Sequence, residues 1–291
     1  MKILIFGKNG QVGFSISQLI SSLGHVFAFD SNACDFCNED NIEKCISKIK
    51  PNVIINAAAY TNVDAAEEKK ALCYAVNSKA LKVMAKAADK INALIIHFST
   101  DYVFDGLKKA PYFEHDHTNP INEYGRSKLL GEFFLNNNNK KNIIIRTSWI
   151  FSHHKKNFMT TILNLSKHKN EISVVNDQIG SPTSAYTLAK MVVVILKKYI
   201  ISENNFPFGI YNISSKGEVT WYQFAKEIIK KMNILNENQI KVFLNPVLTG
   251  EYPTLALRPK YSVLSNALFE TNFNVEMPCW KDQINRELLK F

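Results

Sequence analysis

Tyr124 and Lys128 stand four residues apart in Tyr-Gly-Arg-Ser-Lys, a spacing that puts a phenol and an ammonium on one face of a helix. A cation held beside a phenol favours its ionised form, which turns a weak acid into a serviceable proton donor. A free tyrosine titrates near ~10, so bringing it to neutrality takes about three units, roughly 4 kcal/mol at ~1.36 kcal/mol per unit. Upstream stands Ser99-Thr100-Asp101-Tyr102, where the threonine hydroxyl can hydrogen-bond a reacting oxygen. Hydride from a nicotinamide and a proton from Tyr124 would together reduce a carbonyl. Thr100, Tyr124 and Lys128 are therefore the expected catalytic residues.

Positioning them requires a sheet with helices around it. Short apolar runs at 2–6, 25–30, 53–59, 94–99 and 143–147 alternate with amphipathic stretches of helical length. Near-continuous apolar strands in strand-helix alternation imply a parallel sheet covered on both faces. The predicted fold is α/β, a doubly wound Rossmann-type parallel sheet with a smaller C-terminal α/β substrate lobe. Past Trp149 the order changes: a helix at 158–167, a strand at 172–175, a helix at 187–200, a strand at 210–213, a helix at 221–232 and a Pro-punctuated tail at 245–259. Residues 1–148 plus about 172–203 are expected to form the dinucleotide-binding domain. Residues 149–171 plus 204–291 are expected to form the substrate lobe.

Gly7-Lys-Asn-Gly10-Gln-Val-Gly13 lies where the first strand should turn into the first helix. Glycines so spaced let backbone N–H groups approach a pyrophosphate at the positive end of a helix. Asp30 closes the second strand about 20 residues on, where a carboxylate takes the adenosine ribose hydroxyls. The same carboxylate repels a 2′-phosphate and favours NADH, while Lys8 can offset it and keeps NADPH open. Asn56-Ala-Ala-Ala59-Tyr60-Thr61 follows the third strand with residues small enough to pass close under a dinucleotide, and Asp35 and Phe36 lie in the loop where adenine would rest.

With 291 residues and 46% hydrophobic content, the chain can build a large core. Its apolar runs are too short for a signal peptide or a membrane span, and a soluble cytoplasmic protein is expected. Five scattered cysteines read as free thiols, and Cys34-Asp-Phe-Cys37 lacks a second ligand pair for a metal. The net charge of +9 comes from dispersed lysines without a nucleic-acid-binding motif, so it is read as solvated surface. Neither a nucleic-acid nor a membrane partner is expected.

The motifs Phe6-Gly-Lys-Asn-Gly-Gln-Val-Gly13, Asn56-Ala-Ala-Ala-Tyr-Thr-Asn-Val-Asp64, Ser99-Thr-Asp-Tyr-Val-Phe-Asp-Gly106, Asn122-Glu-Tyr-Gly-Arg-Ser-Lys-Leu-Leu-Gly-Glu132 and Arg146-Thr-Ser-Trp-Ile-Phe151 give a resemblance over nearly the whole chain. Asn176-Asp-Gln-Ile-Gly-Ser-Pro-Thr183 and Arg258-Pro-Lys-Tyr-Ser-Val-Leu264 extend it. The chain resembles the extended short-chain dehydrogenases/reductases and, among them, the dTDP-4-dehydrorhamnose reductases. The resemblance implies NADH- or NADPH-dependent reduction of the C4 ketone of a dTDP-sugar, supplying rhamnose for surface polysaccharide. It assigns Thr100, Asp101 and Trp149 to the sugar nucleotide, and Gly10, Gln11, Val12, Asp30, Asp35, Phe36, Ala59, Tyr60, Thr61 and Phe98 to the cofactor. Arg258 is added as a diphosphate partner because a guanidinium binds phosphate oxygens in a fork. Some members dimerise around a magnesium ion held by glutamates; Ser15 and Tyr186 stand at those positions here, so no metal and a monomer or weak homodimer are expected. Two other readings stay open: a non-catalytic regulatory subunit resembling that of methionine adenosyltransferase, and a reductase of another nucleotide 4-keto sugar.

Overall fold

The computed structural model describes residues 1–235 and 240–291. Its first half alternates β1 (Lys2–Phe6), α1 (Gln11–Leu19), β2 (His25–Phe29), α2 (Glu39–Ile49) and β3 (Val53–Asn56). Short helices α3 (Val63–Glu68) and α4 (Lys70–Tyr74) lead through a π-turn into α5 (Ala80–Lys90), followed by β4 (Leu94–Thr100), α6 (Glu123–Asn138) and β5 (Asn142–Thr147). Thereafter come β6 (Ile150–Phe151), α7 (Phe158–Ser166), β7 (Glu171–Val175), β8 (Ile179–Gly180), β9 (Thr183–Ser184) and α8 (Ala185–Ile201). The rest is β10 (Gly209–Asn212), β11 (Val219–Thr220), α9 (Trp221–Leu235), β12 (Phe243–Val247), α10 (Ala267–Phe273) and α11 (Trp280–Leu288).

Six parallel strands run β10-β5-β4-β3-β1-β2. Their alternating side chains fill two cores, as the two-residue period of a strand requires. Ile3, Ile5, Ile55 and Ile96 face α1 and α8, while Leu4, Ile54, Ile95 and Ile144 face α2 and α5. The chain order reverses between β1 and β3, which opens a crevice at the carboxyl ends of those strands. A third core of Phe151, Met159, Ile162, Phe224, Ile228 and Trp280 knits α7, α9 and α11 into a smaller lobe.

Two strands go where the sequence reading did not put them. The run at 172–175, expected to rejoin the main sheet, is part of β7 and pairs with β12 instead. Glu171 and Ser173 alternate with buried Ile172 and Val174, a one-sided pattern unsuited to a sheet covered on both faces. β12 (Phe243–Val247) runs into what read as a Pro-punctuated tail. The run at 210–213, expected in the lobe, instead supplies the sixth strand of the main sheet as β10, beside β5. The preceding helix α8 lies over the sheet against α1 and returns the chain to that edge.

Helix α6 is tied down by a buried ion pair. Glu132 receives Arg146 of β5 in a fork, with Nη2–Oε2 2.7 Å and Nε–Oε1 3.1 Å, and also accepts the Ser99 hydroxyl of β4. Both charged side chains are 3% exposed. Removing one partner strands the other charge, so Glu132→Ala is expected to cost about 3–5 kcal/mol of stability, read as a lower urea midpoint at constant slope.

Candidate active site

The dinucleotide side is built from the ends of β1 and β3. Gly7 turns with φ +84°, and a Cβ there would sit 2.6 Å from the Ala58 nitrogen. Gly13 lies against the loop so closely that a Cβ would come within 2.1 Å of the Gly7 carbonyl oxygen. It is thus a packing residue, not part of the groove wall. Gly10 caps α1 without a side-chain hydrogen bond, leaving the first-turn amides to a ligand. Two cavities of about 350 and 320 Å³ meet here, both bounded by Gly10, Ala57, Ala59 and Lys155. The first adds Gly7, Asp30, Asp35, Phe36 and Tyr60; the second adds Gln11, Val12, Thr61, Phe98, Tyr124 and Lys128. A continuous groove with bare helix amides at its centre and a carboxylate at one end fits an extended dinucleotide.

Asp30 accepts backbone N–H groups from Asn32 and Ala33 and the Asn9 amide at 3.0 Å, with Lys8 Nζ 3.4 Å away. The Ala33 N–H, aided by Lys8 and Asn9, holds its carboxyl below the usual range. Lys8 is therefore already engaged by the carboxylate it was expected to offset.

At the end of the groove away from Asp30, α6 delivers Tyr124 and Lys128, and β4 ends in Thr100, whose hydroxyl lies against the Tyr124 phenol. Thr100 Oγ1 accepts from Tyr102 N–H at 3.2 Å and donates to Asp101 Oδ1 at 3.1 Å. Burial pushes the Asp101 carboxyl up to about 7, against the Ser262 and Thr100 hydroxyls, which pull it down. The Tyr124 phenol is held above its ordinary value, chiefly by burial, while the Thr100 hydroxyl acts the other way. The expected depression by Lys128 is not what the geometry gives. Lys128 Nζ is turned to β4, donating to the Phe98 carbonyl at 2.6 Å and meeting His97 Nε2 at 3.1 Å. Burial lowers the Lys128 amine to about 8, with Glu132 opposing.

The smaller lobe holds a cavity of about 340 Å³ whose lining includes Phe158, Ile162, Ile172, Val174, Gln178, Trp221, Tyr252, Arg258 and Asp64. Arg258 presents its fork to Asp64, at 2.7 and 3.3 Å, so a diphosphate would have to share it. Trp149, with φ +45°, does not line this cavity directly. Its indole stacks on Trp221 with centroids 3.4 Å apart, over Gly180, where a Cβ would come within 2.4 Å of the ring. Ser15 bonds its own helix through Gln11 O, and Tyr186 lies under Arg286 at 3.2 Å.

Sequence reasoning missed several neighbours of the site. His97 was read only as part of a strand and Asn56 only as part of a small-residue run, yet both are buried behind Lys128. The loop 152–157 of the lobe is fastened to the glycine loop through Ser152–Gln11 at 2.8 Å, His154–Asn9 O at 3.1 Å and His154 stacked on Phe14 at 4.0 Å. That fastening brings Lys155 and Lys156 to the groove. Their signal was the doublet itself, indistinguishable in a lysine-rich chain.

The family described as the RmlD substrate binding domain matches residues 1–291. A dTDP-4-dehydrorhamnose reductase of Shigella flexneri is 37% identical over 292 residues, covering 99% of this chain and 97% of that one. The crystal structure of a dTDP-4-dehydrorhamnose reductase from Clostridium acetobutylicum superposes with a TM-score of 0.92 at 39% identity and full coverage of both chains. That of Bacillus anthracis in complex with NADP gives 0.92 at 34% identity, covering 100% and 99%.

No carboxylate of the described residues pairs with the exposed Lys155 ammonium that overhangs the groove. Lys155→Met is expected to raise the dissociation constant for NADH roughly tenfold, the equivalent of ~1.4 kcal/mol of lost phosphate attraction. Fluorescence titration checks it, and the difference should shrink as salt is added.

Proposed function

The chain belongs to the RmlD substrate-binding family, and on that footing we propose that it reduces the C4 ketone of dTDP-4-dehydro-β-L-rhamnose to dTDP-β-L-rhamnose with NADH or NADPH. One observation supports this most: Tyr124 and Lys128 line one end of the groove that begins at the glycine loop, with the Thr100 hydroxyl against the Tyr124 phenol, while an aromatic-walled cavity with Arg258 and Trp221 opens from the other lobe.

When bound, the dinucleotide supplies the hydride; the protein supplies position and a proton. Tyr124, protonated throughout the physiological range because burial lifts its phenol, donates to the C4 oxygen as charge develops there. Thr100 orients the same oxygen by hydrogen bond. Lys128 binds the nicotinamide ribose and, once its charge faces the phenol, eases loss of the proton. Asp101 and Arg258 contact the sugar nucleotide, and Trp149 backs the aromatic wall through Trp221. Asn9 and Lys8 at Asp30 soften the carboxylate toward a 2′-phosphate, which keeps both dinucleotides usable. We place the enzyme in the cytoplasm as a monomer or weak homodimer without a bridging metal, consistent with Ser15 and Tyr186 being committed within the chain.

Among the described residues no helix is long and apolar enough to cross a membrane. The test is loss of reduced-nicotinamide absorbance with dTDP-4-dehydrorhamnose generated in the same tube, using NADH and NADPH in parallel. Tyr124→Phe is expected to keep dinucleotide affinity and to lower turnover by on the order of 10²–10⁴. Binding without turnover by the unaltered chain, or near-normal turnover by the variant, would overturn the proposal.

A further inference from the structure

Behind Lys128 lies a row of buried groups whose protons can be counted. Asn56 Oδ1 accepts the Ala58 backbone N–H at 3.1 Å. A backbone N–H can only donate, so this contact fixes the amide, and Asn56 Nδ2 must be the atom that faces His97 Nδ1 at 3.0 Å. Nδ2 is a donor, hence Nδ1 carries the lone pair. The ring is 1% exposed, and burial keeps it neutral, well below its ordinary titration range. A neutral ring bare at Nδ1 carries its hydrogen at Nε2. That N–H points at Lys128 Nζ, 3.1 Å away. An ammonium has three donors and no acceptor, so two donors would face each other in a dry place. The conflict disappears if Nζ is an uncharged amine, accepting from His97 and donating to the Phe98 carbonyl.

We propose that His97, oriented by Asn56, is a positioning residue that holds Lys128 against β4 as a free amine, so that the lysine takes up a proton when it turns to the dinucleotide. The inference rests on the reading of Lys128 as the lysine of the nicotinamide ribose. The proton comes from solvent through the groove that Lys128 lines. No other group gives one up: Nζ passes from amine to ammonium, and His97 keeps its single N–H.

The surrounding charges allow this. On its own helix Lys128 faces Tyr124 and Glu132, and the Glu132 charge is spent on Arg146 of β5. From α4 comes Cys73, whose thiol burial holds protonated, and beyond β4 lies Asp101. None is a bare anion in contact with Nζ. The amine titrates at about 8, so the free form gains as pH rises through that value, and proton uptake on binding should grow in the same direction.

The experiment is calorimetric titration of the full chain with NADH at pH 9, in two buffers of different ionisation enthalpy. Close to one proton is expected to be taken up per NADH, falling toward zero at pH 7 and absent in Lys128→Met. His97→Gln offers an amide oxygen that can accept from an ammonium, so its uptake should be largely lost while NADH still binds. Independently of any variant, nitrogen-15 spectra of histidine-labelled protein should show His97 protonated at Nε2 and bare at Nδ1. No uptake by the unaltered chain at pH 9, undiminished uptake in Lys128→Met or in His97→Gln, or the opposite tautomer, would overturn the proposal. Failure of NADH to bind at all would instead overturn the functional reading beneath it.

Discussion

A buried carboxylate fixes the register on which everything else in the site depends. Tyr124, Lys128 and Glu132 lie at successive four-residue steps of α6 and so share one face. Glu132 is clamped at once by Ser99 of β4 and Arg146 of β5, so the helix cannot turn or slide over the sheet without exposing unpaired charge in a dry interior. Ser99 immediately precedes Thr100. The clamp therefore sets the height of the phenol over the threonine hydroxyl, and the two groups meant to act on one oxygen inherit a geometry that neither could hold alone. Arg146 also reaches the Glu114 carbonyl at 3.0 Å, which secures the loop between β4 and α6 to the same anchor.

From that anchor the site opens in two directions. Toward β1 and β3 the small residues Gly10, Ala57 and Ala59 keep a groove clear, and the uncapped start of α1 leaves amides to meet negative charge. Toward the lobe, Trp221 and Phe158 make an apolar wall beside Arg258, with Trp149 stacked behind Trp221. The loop carrying Lys155 and Lys156 is bolted to the glycine loop and the start of α1 by side chains of both lobes, so cationic groups of the smaller lobe face the groove. The groove and the smaller lobe are in this way parts of one electrostatic unit.

Much of this was legible in the sequence because it depends on short spacings. The glycine loop, the strand-end Asp30 and the Tyr-x-x-x-Lys step each report a local geometry that the backbone enforces. The placement of strands was less legible, since β7 and β10 are both short runs whose partners lie far away in the chain. Only the alternation of Glu171 and Ser173 with apolar neighbours hinted that β7 has an open face. Least legible was the far side of Lys128. A lysine four residues after a tyrosine says which face of the helix it shares, not which way its long side chain turns, and His97 and Asn56 sit in separate strands that only the sheet brings together. Arg258 was recognisable as an anion partner, but that it meets Asp64 across 194 residues of chain was not.

The central claim, that these residues align a nicotinamide with a ketone at C4 of a deoxysugar, is tested most directly by following the hydride. The protein would be given dTDP-4-dehydrorhamnose and reduced dinucleotide deuterated at the transferable position, and the sugar product read by nuclear magnetic resonance. Deuterium is expected at C4 of the rhamnosyl ring and nowhere else. Product without deuterium, or with deuterium at another carbon, would contradict it.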